Sequence, residues 1–182
     1  PFHSTYLIYT GPLHLGCANL LFEKPTGYAA TMVGFPYDNL RGWTGAHYPE
    51  ELFEDVFAEI STRWRDALEM AHTLSDSPGK KELVRMGEAA YCHLRSAYLQ
   101  IAFIRRRNAG LFHETAPLLR EEIDLAWRYW LLMQQDSRLG FEASNHYAFT
   151  ANDILEKVIN CRRLLSKIGS STYSAKNGRG GE

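Results

Sequence analysis

From Pro49 onward the chain is written in a helical period. Leu52, Phe53, Val56, Phe57, Ile60, Trp64, Ala67, Leu68 and Ala71 recur three and four residues apart, which lays them along one stripe of a helix. Such a stripe must be covered by another element. Pro49 fits a helix's first turn, where its missing N–H costs nothing. Glu50, Glu51, Glu54 and Asp55 place negative charge at the end the macrodipole favours. Ser75-Asp-Ser-Pro-Gly79 closes the element.

Three more helices follow. The second spans about Lys80 to Arg107, with Leu83, Met86, Ala90, Tyr91, Leu94, Tyr98, Ile101 and Ala102 on its inward face and Gly110 as its stop. The third runs from near Glu114 to near Asp136 and turns Leu119, Ile123, Ala126, Trp127, Trp130 and Leu131 inward. The fourth begins at Thr150, where Thr150 and Asp153 form a near-capping-box with Asp in place of the usual Glu or Gln. Ile154, Leu155, Val158, Cys161, Leu164 and Leu165 supply its buried stripe. Short connections between four such helices predict an antiparallel four-helix bundle over residues 49–168.

Residues 1–48 carry no helical period. Tyr6-Leu-Ile-Tyr9 and Tyr28-Ala-Ala-Thr-Met-Val33 are short β-favouring runs broken by Gly11-Pro12, Gly16, Pro25 and Gly27. The expected fold is therefore mainly α, a bundle preceded by short strands or extended segments. Residues 169–182, with Gly178-Arg-Gly-Gly181 and no apolar period, are expected to be a disordered tail.

Composition narrows the function classes. A net charge of −1 gives no bulk attraction to nucleic acid or an acidic membrane. No run approaches the ~20 apolar residues of a membrane span. Cys17, Cys92 and Cys161 are distant from one another and lack C-x-x-C spacing, so they are expected as free, buried thiols, which favours a reducing, cytoplasmic compartment. His47, His72, His93 and His113 lack the spacings of a metal-binding helix, and the fingerprints of phosphate and dinucleotide sites are absent; neither metal nor cofactor is expected. The chain opens Pro1-Phe-His-Ser without Met or a signal-like apolar stretch, as an excised part of a longer protein would.

Two clusters carry candidate chemistry. In Phe35-Pro-Tyr-Asp-Asn-Leu-Arg-Gly-Trp-Thr-Gly45, the rings of Tyr37 and Trp43 suit a sugar face, and Asp38, Asn39 and Arg41 suit adjacent hydroxyls. The same residues also suit a structural turn, with Trp43 plugging the bundle's end. In Leu139 to Asp153, Glu142, Asn145 and His146 sit with Tyr147 between two helices. Set between its flanking helices, that segment is better read as a connection whose polar groups satisfy the backbone. Asp38 and Glu142 are the acids that a paired-carboxylate mechanism would use, provided they lie about 5–10 Å apart. Glu50-Glu51 and Glu121-Glu122 read as surface charge, and Arg105-Arg106-Arg107 as cations at a helix C-terminus.

Phe35-Pro-Tyr-Asp-Asn-Leu40, Trp43-x-x-x-x-Tyr48-Pro-Glu-Glu-Leu-Phe53, Gly140-Phe-Glu-Ala-Ser-Asn-His-Tyr147 and Leu155-Glu-Lys-Val-Ile-Asn-Cys161 resemble the C-terminal helical region of large, uncharacterised, glycoside-hydrolase-like bacterial proteins. The resemblance covers most of residues 30–165. It implies a non-catalytic helical domain that packs on a catalytic barrel of the same parent protein. Tyr37, Asp38, Arg41, Trp43, Asn145 and His146 would then line one edge of its carbohydrate cleft, and no residue takes over a catalytic acid. The alternative is a self-contained helical interaction module, or a homodimer formed through an aromatic stripe. A third reading is a small enzyme using Glu142 and His146 as an acid–base pair.

Overall fold

The computed structural model describes residues 16–27, 38–44, 48–142, 146–147 and 149–177. The chain is mainly helical, as its periodicity predicts. Five helices occur among these residues: α1 (Leu40–Trp43), α2 (Glu50–His72), α3 (Pro78–Asn108), α4 (Ala116–Gln135) and α5 (Ala151–Asn177). Single 3-10 turns lie at Gly16–Ala18 and Phe112–Thr115. Between α4 and α5, β1 (Phe141–Glu142) pairs antiparallel with β2 (His146–Tyr147). The strands expected at Tyr6–Tyr9 and Tyr28–Val33 lie outside the described residues.

Capping chemistry sets where the helices start. Ser77 accepts the Lys80 N–H at 3.0 Å, so α3 opens at Pro78, two residues earlier than periodicity alone places it. Asp153 accepts the Thr150 N–H at 2.5 Å, which is the acidic half of a capping box. The Thr150 hydroxyl completes no box, because it donates to the same carboxylate at 2.8 Å. At the other end, α5 continues to Asn177, past Gly169, where a tail was expected. Ile168 is still buried one residue before that glycine, so packing supports the helix there.

α3 is central. It packs antiparallel to α2: Arg105 near its end bonds Glu54 near the start of α2, while the Trp64 indole N–H donates to the Gly87 carbonyl at 2.8 Å and His72 meets Glu88 at 3.5 Å. Contacts with α4 are reversed in the same way, from Arg95 with Glu121 to Glu88 with Arg128. α4 in turn lies along α5. One hydrophobic cluster gathers Leu40, Trp43, Phe53, Phe57, Ile101, Phe103, Leu119 and Cys161; the other gathers Cys92, Leu99, Tyr129, Leu139, Phe149, Ile154 and Val158. Each large apolar side chain so buried contributes about 1.5–3 kcal/mol.

Several residues expected inward face out instead. Leu52 and Trp64 on α2, Leu83 and Met86 on α3, and Trp127 and Leu131 on α4 are all exposed. α2 packs chiefly along α3, so only a narrow stripe, Phe53, Phe57, Ser61 and Leu68, is covered. The first turns of α3 reach past the end of α2, which stops at the level of Glu88.

The α4–α5 connection depends on one glycine. Gly140 has φ +84°, and a Cβ added there would fall 2.4 Å from the Phe149 carbonyl oxygen. Gly140→Ala should therefore cost at least about 1–2 kcal/mol, seen as a lower urea midpoint with an unchanged slope.

Candidate functional site

Among the described residues, the two nominated segments meet different parts of α3. Tyr37 and Asn145 lie outside the described residues. Glu142 and His146 are directly opposite each other across the two-residue ladder. Asp38, Arg41 and Trp43 belong to the other segment. Positions along α3 show how far apart the two segments lie. Asp38 bonds Arg107, whereas Phe149, beside the ladder, packs on His93 with ring centroids 5.5 Å apart. Fourteen residues of helix separate Arg107 from His93, about 21 Å of rise.

Two nominated side chains are committed to the fold. Trp43 is only 1% exposed, and its ring meets Phe53 edge-on at 6.3 Å. It plugs the core and offers no face to a sugar, so the stacking role expected of it is corrected. Asp38 is likewise a structural group rather than an open carboxylate. One of its oxygens accepts from the Thr26 hydroxyl at 2.6 Å and the other from the Thr26 N–H at 2.7 Å. The second oxygen also meets Arg107 at 3.3 Å, with both side chains almost fully buried. Asn39 caps the one-turn α1 by accepting the Gly42 N–H at 2.9 Å. Arg41 is exposed.

The densest polar chemistry lies elsewhere, inside the helices. Glu122, read from sequence as surface charge, is 1% exposed. Its Oε1 accepts from the Ser96 hydroxyl at 2.5 Å and lies 3.3 Å from the Lys157 ammonium, itself fully buried. Among the described residues Glu122 Oε2 has no hydrogen-bond partner. A signal for this centre was present: Glu122 lies three residues after Leu119 and four before Ala126, and Lys157 lies between Ile154 and Cys161, each inside an apolar stripe. Charge at a core position of the period marks a buried pair.

The three cysteines surround this centre as free, buried thiols. The Cys17 thiol donates to the Cys92 carbonyl at 3.5 Å. Burial pushes the Cys17 thiol well up, and the nearby Glu122 carboxylate adds to the effect. Burial likewise pushes Cys92 and Cys161 up to about 12. All three are therefore protonated at neutral pH and poor nucleophiles. Among the described residues no three His, Cys, Asp or Glu side chains gather as metal ligands would, and no helix is long and apolar enough to cross a membrane.

At the C-terminal end of α4, Asp136 accepts from the Arg138 side chain at 2.6 and 2.9 Å and from its N–H at 3.0 Å. The Arg138 hydrogen bonds, with the charge of Arg85 adding to them, hold the Asp136 carboxyl far below the usual carboxylate range. The folded chain thus binds this proton less tightly than the unfolded chain, so the contribution is full above the unfolded value of about 3.9 and is lost as pH falls below it. Acid titration of urea midpoints should show Asp136→Asn with a flatter acid limb than the parent chain.

Comparison with known proteins returns nothing: no family model, no curated protein and no solved structure matches the chain.

Proposed function

We propose that this chain is a helical interaction module that self-associates through the outer face of α4. The observation that carries the reading is an aromatic pair at the surface. Trp127 is 37% exposed and meets Trp130 edge-on at 5.8 Å, with Leu131, 54% exposed, beside them. Arg120, Asp124, Arg128 and Gln134 border the patch on the same exposed face. An apolar, aromatic centre within a rim of both charge signs is the anatomy of a protein interface. A two-fold contact, the commonest symmetry for soluble oligomers, needs a patch that complements itself. In this reading the helices form an antiparallel four-helix bundle, whose rigidity presents the patch. Replacing Trp127 and Leu131 together by Gln should leave helical circular dichroism and melting unchanged and abolish association in light scattering behind size exclusion. Association undiminished in that variant would exclude this face.

A second reading keeps the accessory domain of a glycoside-hydrolase-like, carbohydrate-active parent. Its support is the set of residues that carry the resemblance and the exposure of Arg41. Here the α4 face would seat on a catalytic domain of the same parent protein. The carbohydrate contact would rest on Arg41, Tyr37, Glu142, Asn145 and His146, since Asp38 and Trp43 are occupied internally. Calorimetric titration with oligosaccharides and uronic acids should give heat that Arg41→Ala diminishes; no heat with any sugar would remove the ligand part of this reading.

A further inference from the structure

Residues 19–24 are held in a way that differs from the rest of the core. Lys157 of α5 donates to the Asn19 carbonyl. Asn160 grips Leu21 at two points, accepting its N–H at 2.8 Å and donating to its carbonyl at 2.8 Å. Further along α5, Lys167 pairs with Glu23. From α3, Gln100 accepts from the Asn19 amide at 3.5 Å, and Arg107 donates to the Phe22 and Lys24 carbonyls at 3.1 and 3.2 Å. The strap therefore lies in the seam between α3 and α5 and runs in the direction of both. From Asn19 to Glu23 it advances four residues while its partners on α5 advance ten, about 15 Å of helix. Residues 19, 21 and 23 meet α5; the chain runs without a bend from Asn19 to Phe22 and bends at Glu23 and Lys24.

Most of these bonds address the strap's main chain, and one apolar anchor, Leu21 at 2% exposure, fills the seam. Main-chain bonds for affinity, with a side-chain pocket at alternate positions, is how proteins take up extended peptides. The groove floor also carries polar groups, Gln100, Arg107, Lys157 and Asn160, around the apolar seat that Leu21 fills.

We propose that the α3–α5 seam is a binding site for an extended peptide, filled in this chain by its own residues 19–24, and that a second copy's strap exchanges into it. An identical strap presents the same carbonyls and the same leucine, so the exchanged state keeps the contacts that residues 19–24 make with the seam, and exchanging an identical element is a low-cost route to a dimer. This seam is separate from the Trp127 face and does not depend on it.

The Glu23–Lys167 ion pair provides the test on the full chain. A zero-length carbodiimide joins a carboxylate directly to an amine it touches. Unlabelled and nitrogen-15-labelled chains are mixed, incubated concentrated, diluted and coupled, and the Glu23–Lys167 peptide is read by mass spectrometry. Exchange predicts mixed-isotope peptide that grows with incubation time and concentration towards half of the total, and more slowly than in Asn160→Ala, whose grip on Leu21 is gone. Only matched-isotope peptide after long incubation, or mixed peptide already complete at the moment of dilute mixing, would overturn the proposal. The same coupling on Trp127→Gln/Leu131→Gln should give an unchanged result, which separates strap exchange from association through α4.

Discussion

Replacing Arg107 by Met should destabilise the chain by about 3–5 kcal/mol, the usual cost of leaving a buried charge without its partner. Against a total stability of about 5–15 kcal/mol, that is enough to unfold much of the population at modest urea. The guanidinium meets Asp38 at 3.3 Å with both side chains at most 3% exposed, and it also donates to the carbonyls of Phe22 and Lys24. One substitution thus strands a carboxylate and frees two backbone acceptors. Asp38→Asn should be milder, because the amide oxygen can keep accepting from the Thr26 N–H and Arg107 keeps the Phe22 and Lys24 carbonyls as acceptors. The double substitution should recover part of the loss, a coupling that a double-mutant cycle reads directly. If Asp38→Asn left stability untouched, Asp38 would have no structural role, and its nomination as a ligand group would stand again.

Lys157→Met is the second large effect, of similar size, about 3–5 kcal/mol. It removes the cation 3.3 Å from Glu122 in a region where both side chains are at most 1% exposed. It also deprives Asn19 of its donor, so loosening of the strap should accompany the loss of stability. Glu122→Leu combined with Lys157→Met should recover most of that loss, since no buried charge is then left unpaired, and should fall short of the parent by the lost Asn19 and Ser96 hydrogen bonds. Equilibrium urea unfolding of the two single variants and the double variant decides it. Additive losses with no recovery in the double would mean that the two groups do not act as a pair.

The four long helices were legible because their signals are local. Period, the acidic first turn after Pro49 and Gly110 as a stop each act within a few residues of where they stand. Which side of each helix is covered was less legible, because that depends on neighbours. Trp127 and Leu131 fit the inward period of α4 as well as Leu125 and Tyr129 do, yet they face out. Only the placement of α3 and α5 around α4 chooses between these overlapping stripes.

The candidate site was legible in composition and not in geometry. Turn-forming residues around Asp38 looked equally suited to binding and to folding. The difference lies in Arg107, 69 positions away in sequence, which no local pattern connects to Asp38. The Glu122–Lys157 pair could have been suspected from charges inside apolar stripes, but nothing in the sequence says that those two stripes face one another. The strap is the opposite case. Residues 16–27 have no period to read, and their course is dictated by Asn160, Lys157 and Arg107 on distant helices.

Sedimentation equilibrium of the unmodified chain across a wide concentration range tests the account most directly. Self-association through α4 predicts an apparent mass that climbs from one chain towards two as concentration rises, and that stays at one chain in Trp127→Gln/Leu131→Gln. A mass of one chain at every concentration, with Trp127 as accessible to quenchers in concentrated as in dilute solution, would contradict it.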